Sequence, residues 1–171
     1  MLNRISGVAL AAALLVAGTG IASAQAINSE QLSDPRVRQA IAYAIDMDTI
    51  VETLLEGKAI AADSMLPNGP HKPAGLNAYS YDPDKARELL AAADWDSDRE
   101  LDMVYYYGDQ LTADLMAAVQ AYLADVGVKM TYRKLEGDVG AQLTTRPTNP
   151  VDGTSNIDWD LGYGAAAATA L

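Results

Sequence analysis

The chain has 171 residues, a formal net charge of −11 and no cysteine. This length corresponds to one domain, and the acidic charge disfavours nucleic acid and anionic lipid surfaces as partners, because both are themselves negatively charged. Without cysteine the chain can form neither a disulfide nor a lipid anchor on that residue, so its stability has to come from an apolar core.

The first 26 residues have the layout of a secretory signal peptide. Arg4 supplies a positive start, and an apolar run over residues 8–17 is followed by small residues at alternate positions. The alternative is a transmembrane anchor, but a helix needs about 20 apolar residues to cross a bilayer. We therefore expect cleavage after Ala24 or Ala26 and a periplasmic product that is not inserted in the membrane.

Two helices are predicted after a disordered linker over residues 27–32. The pair Asp34–Pro35 fits an N-cap and a first helical residue, and apolar residues then recur at helical spacing to about residue 45. Asp46 and Asp48 can cap a second helix, which Gly57 would end.

A loop and a third helix come next. Residues 66–77 contain three prolines and two glycines, which favours a loop over a regular element. The pair Asp82–Pro83 repeats the capping pattern, so we predict a helix to about Ala93.

A strand, a helix and a second strand are predicted over residues 101–132. Residues 101–107 are rich in strand-forming types, residues 111–127 have helical periodicity, and residues 128–132 alternate between apolar and polar. This order predicts two parallel strands joined by a right-handed crossover. The residues expected on one face of the first strand are Leu101, Met103, Tyr105 and Tyr107.

The signals weaken beyond residue 136. A short helix is predicted over residues 139–144, then a polar loop over 146–156 and a third strand over 157–163. Residues 165–171 carry no capping or closing pattern. We therefore expect the fold to be incomplete.

The order and spacing of three stretches of the sequence indicate a known type of protein. The stretches are DPRVRQAIAYAID at 34–46, YDPDKARELLAAADW at 81–95 and YLADVGVKM at 122–130, the last followed by DWDL at 158–161. Together they resemble family 5 extracytoplasmic solute-binding proteins, the group that captures peptides, nickel and related solutes. The resemblance covers about residues 33–163.

The resemblance implies an α/β fold over residues 33–171, namely part of a lobe of the periplasmic-binding-protein type II kind, with a βαβ unit and flanking helices. Proteins of that family close two lobes on a solute and deliver it to the permease subunits of an ABC transporter. The matching motifs belong to the carboxy-terminal lobe, so an amino-terminal lobe is expected as a missing partner. A non-functional remnant or one half of a split receptor are the alternatives.

Candidate ligand-binding residues follow from the predicted sheet. Open α/β sheets bind ligands at the carboxyl ends of their strands, and tyrosines there can stack on a ligand, whereas glycine permits close approach. The alternative for the tyrosines is packing in the core. The candidates are Tyr106, Tyr107, Gly108, Asp109 and Tyr163.

The chain differs from the family that it resembles at one position that matters for ligand binding. Many relatives carry a tryptophan and then an acidic residue after the strand at 158–161, and that acid holds a peptide amine. Residues 162–168 read GYGAAAA here, so no amine-binding carboxylate can be transferred.

Catalysis, a metal and a cofactor are not expected. His71 is the only histidine and lies in the proline-rich loop, which leaves a small secreted hydrolase as a remote alternative. The acidic residues of segment 94–98 alternate as in a calcium loop, but Arg99 and Tyr105 stand where that loop requires glycine and glutamate. A solvated turn is the better interpretation.

Overall fold

The computed structural model describes residues 30–62, 72–144 and 159–164. The predicted signal peptide and the single histidine lie outside these residues. The elements are, in chain order, α1 (Glu30–Ser33), α2 (Pro35–Ala44), α3 (Met47–Thr53), α4 (Pro83–Ala92), β1 (Glu100–Tyr105), α5 (Gln110–Asp125), β2 (Lys129–Lys134), α6 (Val139–Thr144) and β3 (Leu161–Tyr163).

A predicted aspartate caps each of α2, α3 and α4, whereas Asp48 lies in the first turn of α3. The Asp46 carboxylate accepts a hydrogen bond from the Thr49 N–H at 2.9 Å, and Asp82 accepts one from the Lys85 N–H at the same distance. Such bonds satisfy backbone donors that the first helical turn cannot pair internally. The three helices therefore begin where the sequence predicts, and α2 and α4 each end one residue earlier than expected.

Helix α3 is shorter than its apolar pattern suggests. It ends at Thr53, and the backbone then enters the left-handed region at Glu56 (φ 52°) and Gly57 (φ 69°). Gly57 was predicted to end the helix, but α3 ends earlier, with Leu54 as its C-cap, and Gly57 lies beyond it in a conformation that glycine adopts without a Cβ penalty. Residues 72–77 form no helix or strand, in keeping with the predicted loop, whose remaining part lies outside the described residues.

The prediction of a disordered linker over 27–32 is wrong for its described part. Residues 30–32 belong to α1, and the Leu32 side chain is buried in the core. The guanidinium of Arg38 also donates to the Leu32 carbonyl at 2.9 Å. One apolar contact and one long basic side chain therefore order a segment that has a polar composition.

The three strands form a parallel sheet in the order β2-β1-β3. This confirms the predicted parallel strand–helix–strand unit. Strand β1 ends at Tyr105 rather than at Tyr107, and β3 is confined to its last three predicted residues. Helix α6 has the predicted bounds.

Strand register determines which side chains share a sheet face. Leu101 pairs with Met130, Met103 pairs with Tyr132, and Tyr105 pairs with both Lys134 and Tyr163. Paired residues point to the same side of a parallel sheet, so the predicted apolar face of β1 extends across all three strands.

The core lies between this face and the helices α2, α4 and α5. Leu101 and Leu123 are completely buried in it, and Trp95 packs against its edge. The opposite face of β1 also contributes a completely buried residue, Val104, which the one-sided prediction did not anticipate. A parallel strand covered on both sides is the usual arrangement. The described residues contain no helix with the length and apolar character of a membrane span.

Candidate ligand-binding surface at the carboxyl edge of the sheet

Three of the candidate residues lie together where the strands end. The Tyr106 and Tyr107 rings are 4.2 Å apart between centroids, and the Tyr106 hydroxyl donates to the Tyr107 hydroxyl at 2.9 Å. Tyr163 of β3 meets Tyr107 edge to face, with centroids 6.1 Å apart. We call Tyr106, Tyr107 and Tyr163 the tyrosine cluster. Each ring is half-buried, so the cluster is neither part of the closed core nor fully solvated.

Two further tyrosines continue the aromatic surface. Tyr105 and Tyr132 are neighbours across β1 and β2, with ring centroids 6.3 Å apart. Tyr132 packs against the core, which fixes it more firmly than the tyrosines beyond the strand ends. Aromatic side chains with one side packed and one side accessible offer a ligand a large contact area at low entropic cost.

Two glycines, Gly108 and Gly164, lie beside the tyrosine cluster. A Cβ atom on Gly164 would lie 2.8 Å from Cε1 of Tyr106, so the Tyr106 ring occupies the space that a side chain would take. A Cβ atom on Gly108 would lie 3.2 Å from Nζ of Lys134. The close approach predicted at Gly108 is therefore made by a lysine of the neighbouring strand.

Asp109, the remaining candidate, is the N-cap of α5. Its carboxylate accepts hydrogen bonds from the Thr112 N–H at 2.8 Å and from the Thr112 hydroxyl at 3.0 Å. These bonds, the backbone one foremost, lower the pKa of Asp109. Its direct role is thus to start the helix that follows the tyrosine cluster.

Acidification is expected to weaken this cap. A carboxylate whose pKa is lowered by folding contributes stability above its unfolded pKa, about 3.9, and loses it as the pH falls through the lower folded pKa. Asp109→Asn keeps a capping oxygen and should flatten the loss of stability below about pH 4. Asp109→Ala should in addition lower stability at pH 7. Urea unfolding from pH 7 to pH 3 tests both, and an unchanged acid slope in the asparagine variant would contradict the assignment.

A buried ion pair joins β3 to β1 at the other end of the strands. The guanidinium of Arg99 lies 2.5 Å from the carboxylate of Asp160, and the two side chains are only 10% and 7% exposed. The second oxygen of Asp160 accepts the Asp102 N–H at 3.0 Å, and the Asp160 N–H donates to the Asp102 carbonyl at 2.9 Å. Asp160 thereby fixes the start of the strand that carries Tyr163.

A second concave region lies away from the tyrosine cluster. It is a cavity of about 570 Å³ between the α2–α3 junction and residues 78–81, and its lining includes Asp46 and Tyr81. The Tyr81 ring meets Tyr122 at 5.6 Å, in the last turns of α5. Because α5 runs antiparallel to the strands, its end lies at the amino edge of the sheet, so this cavity and the tyrosine cluster are separate.

The calcium-like segment 94–98 has a structural role. The Asp96 carboxylate accepts the Asp98 N–H at 2.9 Å, and the carboxylate of Asp98 pairs with Lys129 at 3.1 Å. Within the described ranges no group of three acidic, histidine or cysteine side chains has metal-binding geometry.

Sequence reasoning missed two features of the structure near the sheet. Lys134 was not selected, although its alternation with Met130 and Tyr132 places it on the aromatic face once β2 is paired with β1. The pair of Arg99 and Asp160 was not selected either, because residues 61 positions apart carry no local signal.

Known proteins of similar sequence are longer than this chain. A Brucella ovis protein named as an ABC transporter peptide-binding protein is 38% identical over 106 residues, which are 60% of this chain and 20% of that protein. The glutathione-binding protein GsiB of Pectobacterium atrosepticum is 31% identical over 61% of this chain and 20% of its own length. The chain thus spans about a fifth of the curated relatives it matches.

Solved structures of similar fold come from the same group of proteins. NikZ from Campylobacter jejuni, in complex with Ni(L-His), superposes with a TM-score of 0.59 at 26% identity, over 68% of this chain and 26% of that one. The fold is accordingly α/β and corresponds to part of a lobe of a type II periplasmic binding protein. Residues 14–164 match the family described as "Bacterial extracellular solute-binding proteins, family 5 Middle", and the chain belongs to this family.

Proposed function

We propose that this chain is the solute-binding component, or part of it, of an ABC importer for peptide-like solutes. Family membership supports a binding role, and the tyrosine cluster supplies a surface that can perform it. The observation that carries the proposal is the position of this half-buried aromatic surface at the carboxyl edge of a parallel sheet, where α/β proteins bind ligands.

The proposed role is binding without chemistry. At the tyrosine cluster the neighbouring carboxylate, Asp109, is engaged by both donors of Thr112, so it is poorly suited to act as a base or nucleophile. The hydroxyls of Tyr106 and Tyr107 bond to one another. Such a site offers stacking and hydrogen bonding, which are the means of capture and release.

Export and partners follow from the same proposal. Residues 1–26 would direct the chain to the periplasm, where a released form would present the solute to permease subunits. A covering lobe, on the same or another polypeptide, would close over the tyrosine cluster, because closure supplies much of the burial in two-lobed receptors. Without a covering lobe, the described part of the lobe should therefore bind the solute weakly.

Ligand-induced stabilisation tests the binding role. We expect a mixed library of dipeptides and tripeptides to raise the melting temperature of the full chain, followed by circular dichroism. A ligand present at ten times its dissociation constant adds about 1.4 kcal/mol, or roughly 3–6 °C for a chain of this size. Tyr107→Leu should remove the shift, because Tyr107 is the ring that contacts both other members of the cluster.

The matched control is Tyr79→Leu. Tyr79 also forms an edge-to-face pair, with Tyr43 at 5.2 Å, but it lines the separate cavity. A shift that persists in Tyr107→Leu and disappears in Tyr79→Leu would move the binding site to that cavity. Absence of any shift would refute the binding role, and hydrolysis of the library that is lost in His71→Ala would support a secreted hydrolase instead.

A further inference from the structure

A lysine lies beside the tyrosine cluster. Lys134 is the last residue of β2 and pairs in register with Tyr105, so its side chain leaves the sheet on the same side as Tyr105 and Tyr132. It extends across the end of β1 until Nζ and Cε lie 3.2 and 3.3 Å from the position that a Cβ atom of Gly108 would take. The absence of a side chain at Gly108 gives the ammonium group this place.

The ammonium group of Lys134 can change partners at low cost. Its ion pair is with Glu136, at 3.2 Å, and these side chains are 40% and 80% exposed. Ion pairs between exposed side chains contribute little to stability, because solvent screens them. A ligand carboxylate that is held in place by stacking on the tyrosines could therefore displace Glu136.

The two nearby carboxylates, Glu136 and Asp109, are less available to a ligand amine. Glu136 is 80% exposed, against 40% for Lys134, so solvent screens its charge more strongly. Asp109 accepts bonds from Thr112 at both of its oxygens, at 2.8–3.1 Å, and neutralises the amino terminus of α5. Residues 162–168, which include the end of β3 and the segment after it, read GYGAAAA and contain no acidic residue. Among the described residues at this edge, the charge best placed to hold a ligand is consequently the lysine cation.

We propose that Lys134 determines specificity by binding a carboxylate of the solute while the tyrosine cluster stacks against the rest of it. The solute class is then a small peptide-like molecule that presents its carboxyl group, rather than its amine, to this lobe. This inference rests on the proposed binding function.

Two matched peptide libraries test the inference. One library has free carboxyl termini, and the other has the same sequences as carboxy-terminal amides. The full chain should bind the free acids about fivefold more tightly than the amides, the ratio that corresponds to about 1 kcal/mol. Lys134→Met should remove this preference and leave amide binding unchanged.

The control variant is Lys129→Met, at the other end of the same strand, where Lys129 pairs with Asp98 at 3.1 Å. It should retain the fivefold preference. Equal affinity for the two libraries, unaffected by Lys134→Met, would overturn the role of Lys134 and leave the binding function intact. The same conclusion would follow if acetylation of the peptide amino terminus weakened binding and amidation of the carboxyl terminus did not. Failure of both libraries to bind would refute the binding function and this inference with it.

Discussion

Replacing Asp160 with asparagine is expected to lower the free energy of unfolding by about 3–5 kcal/mol. The substitution keeps the size of the side chain but leaves the Arg99 guanidinium, which is 10% exposed, without its counter-charge. Among the described residues the Nε atom of Arg99 has no hydrogen-bond partner, so no second acceptor is in place to compensate. Urea unfolding of the two chains, followed by circular dichroism, measures the difference.

An exposed ion pair is the control for Asp160. Asp125→Asn removes the negative charge from the pair of Asp125 and Arg87, which lie 2.7 Å apart on the protein surface, and should cost less than about 1 kcal/mol. Because Asp160 also fixes the start of β3, Asp160→Asn should in addition reduce the peptide-induced stabilisation that depends on Tyr163. A loss of stability below about 1 kcal/mol for Asp160→Asn would show that the ion pair of Arg99 and Asp160 does not stabilise the contact between β1 and β3.

Leu123→Ala is the second change with a large expected effect. Leu123 lies on α5, is completely buried and belongs to the core cluster beneath the sheet. Removal of a buried leucine side chain costs about 2–5 kcal/mol, since apolar burial is lost and a cavity remains. The expected result is a lower urea midpoint with an unchanged slope.

The same helix provides the control for Leu123. Leu111 lies in the first turn of α5 and is exposed, so Leu111→Ala should change stability by no more than about 0.5 kcal/mol. Equal losses in the two variants would mean that α5 does not cover the sheet as described. A larger loss in the Leu111 variant would show that this end of the helix carries a contact of its own.

Local chemistry explains which parts of the fold could be predicted. The starts of α2, α3 and α4 were predictable because an aspartate cap acts within three residues along the chain. The end of α3 was not, because the apolar residues beyond Thr53 continue the helical spacing while the backbone turns at Glu56 and Gly57. The order of α1 depends on a core contact made by Leu32, which a polar local sequence does not reveal.

The candidate surface was predictable in part for the same reason. The rule that ligands lie at carboxyl strand ends led to Tyr107 and Tyr163, and the structure brings these two rings into contact. Lys134 required the register between β1 and β2, which is a property of paired strands. Asp160 lies in the DWDL stretch that supports the family resemblance, but its structural role required its distant partner Arg99, which no local pattern indicates.

Fluorine NMR of the chain labelled with 3-fluorotyrosine tests the central claim most directly. The nine tyrosines fall into a group at the carboxyl edge of the sheet and a group around the cavity near Tyr81, and single tyrosine substitutions assign their resonances. On addition of the free-acid peptide library, the resonances of Tyr107 and Tyr163 should shift while those of Tyr79 and Tyr81 stay in place. Shifts confined to Tyr79 and Tyr81 would contradict the account and place the ligand in the cavity.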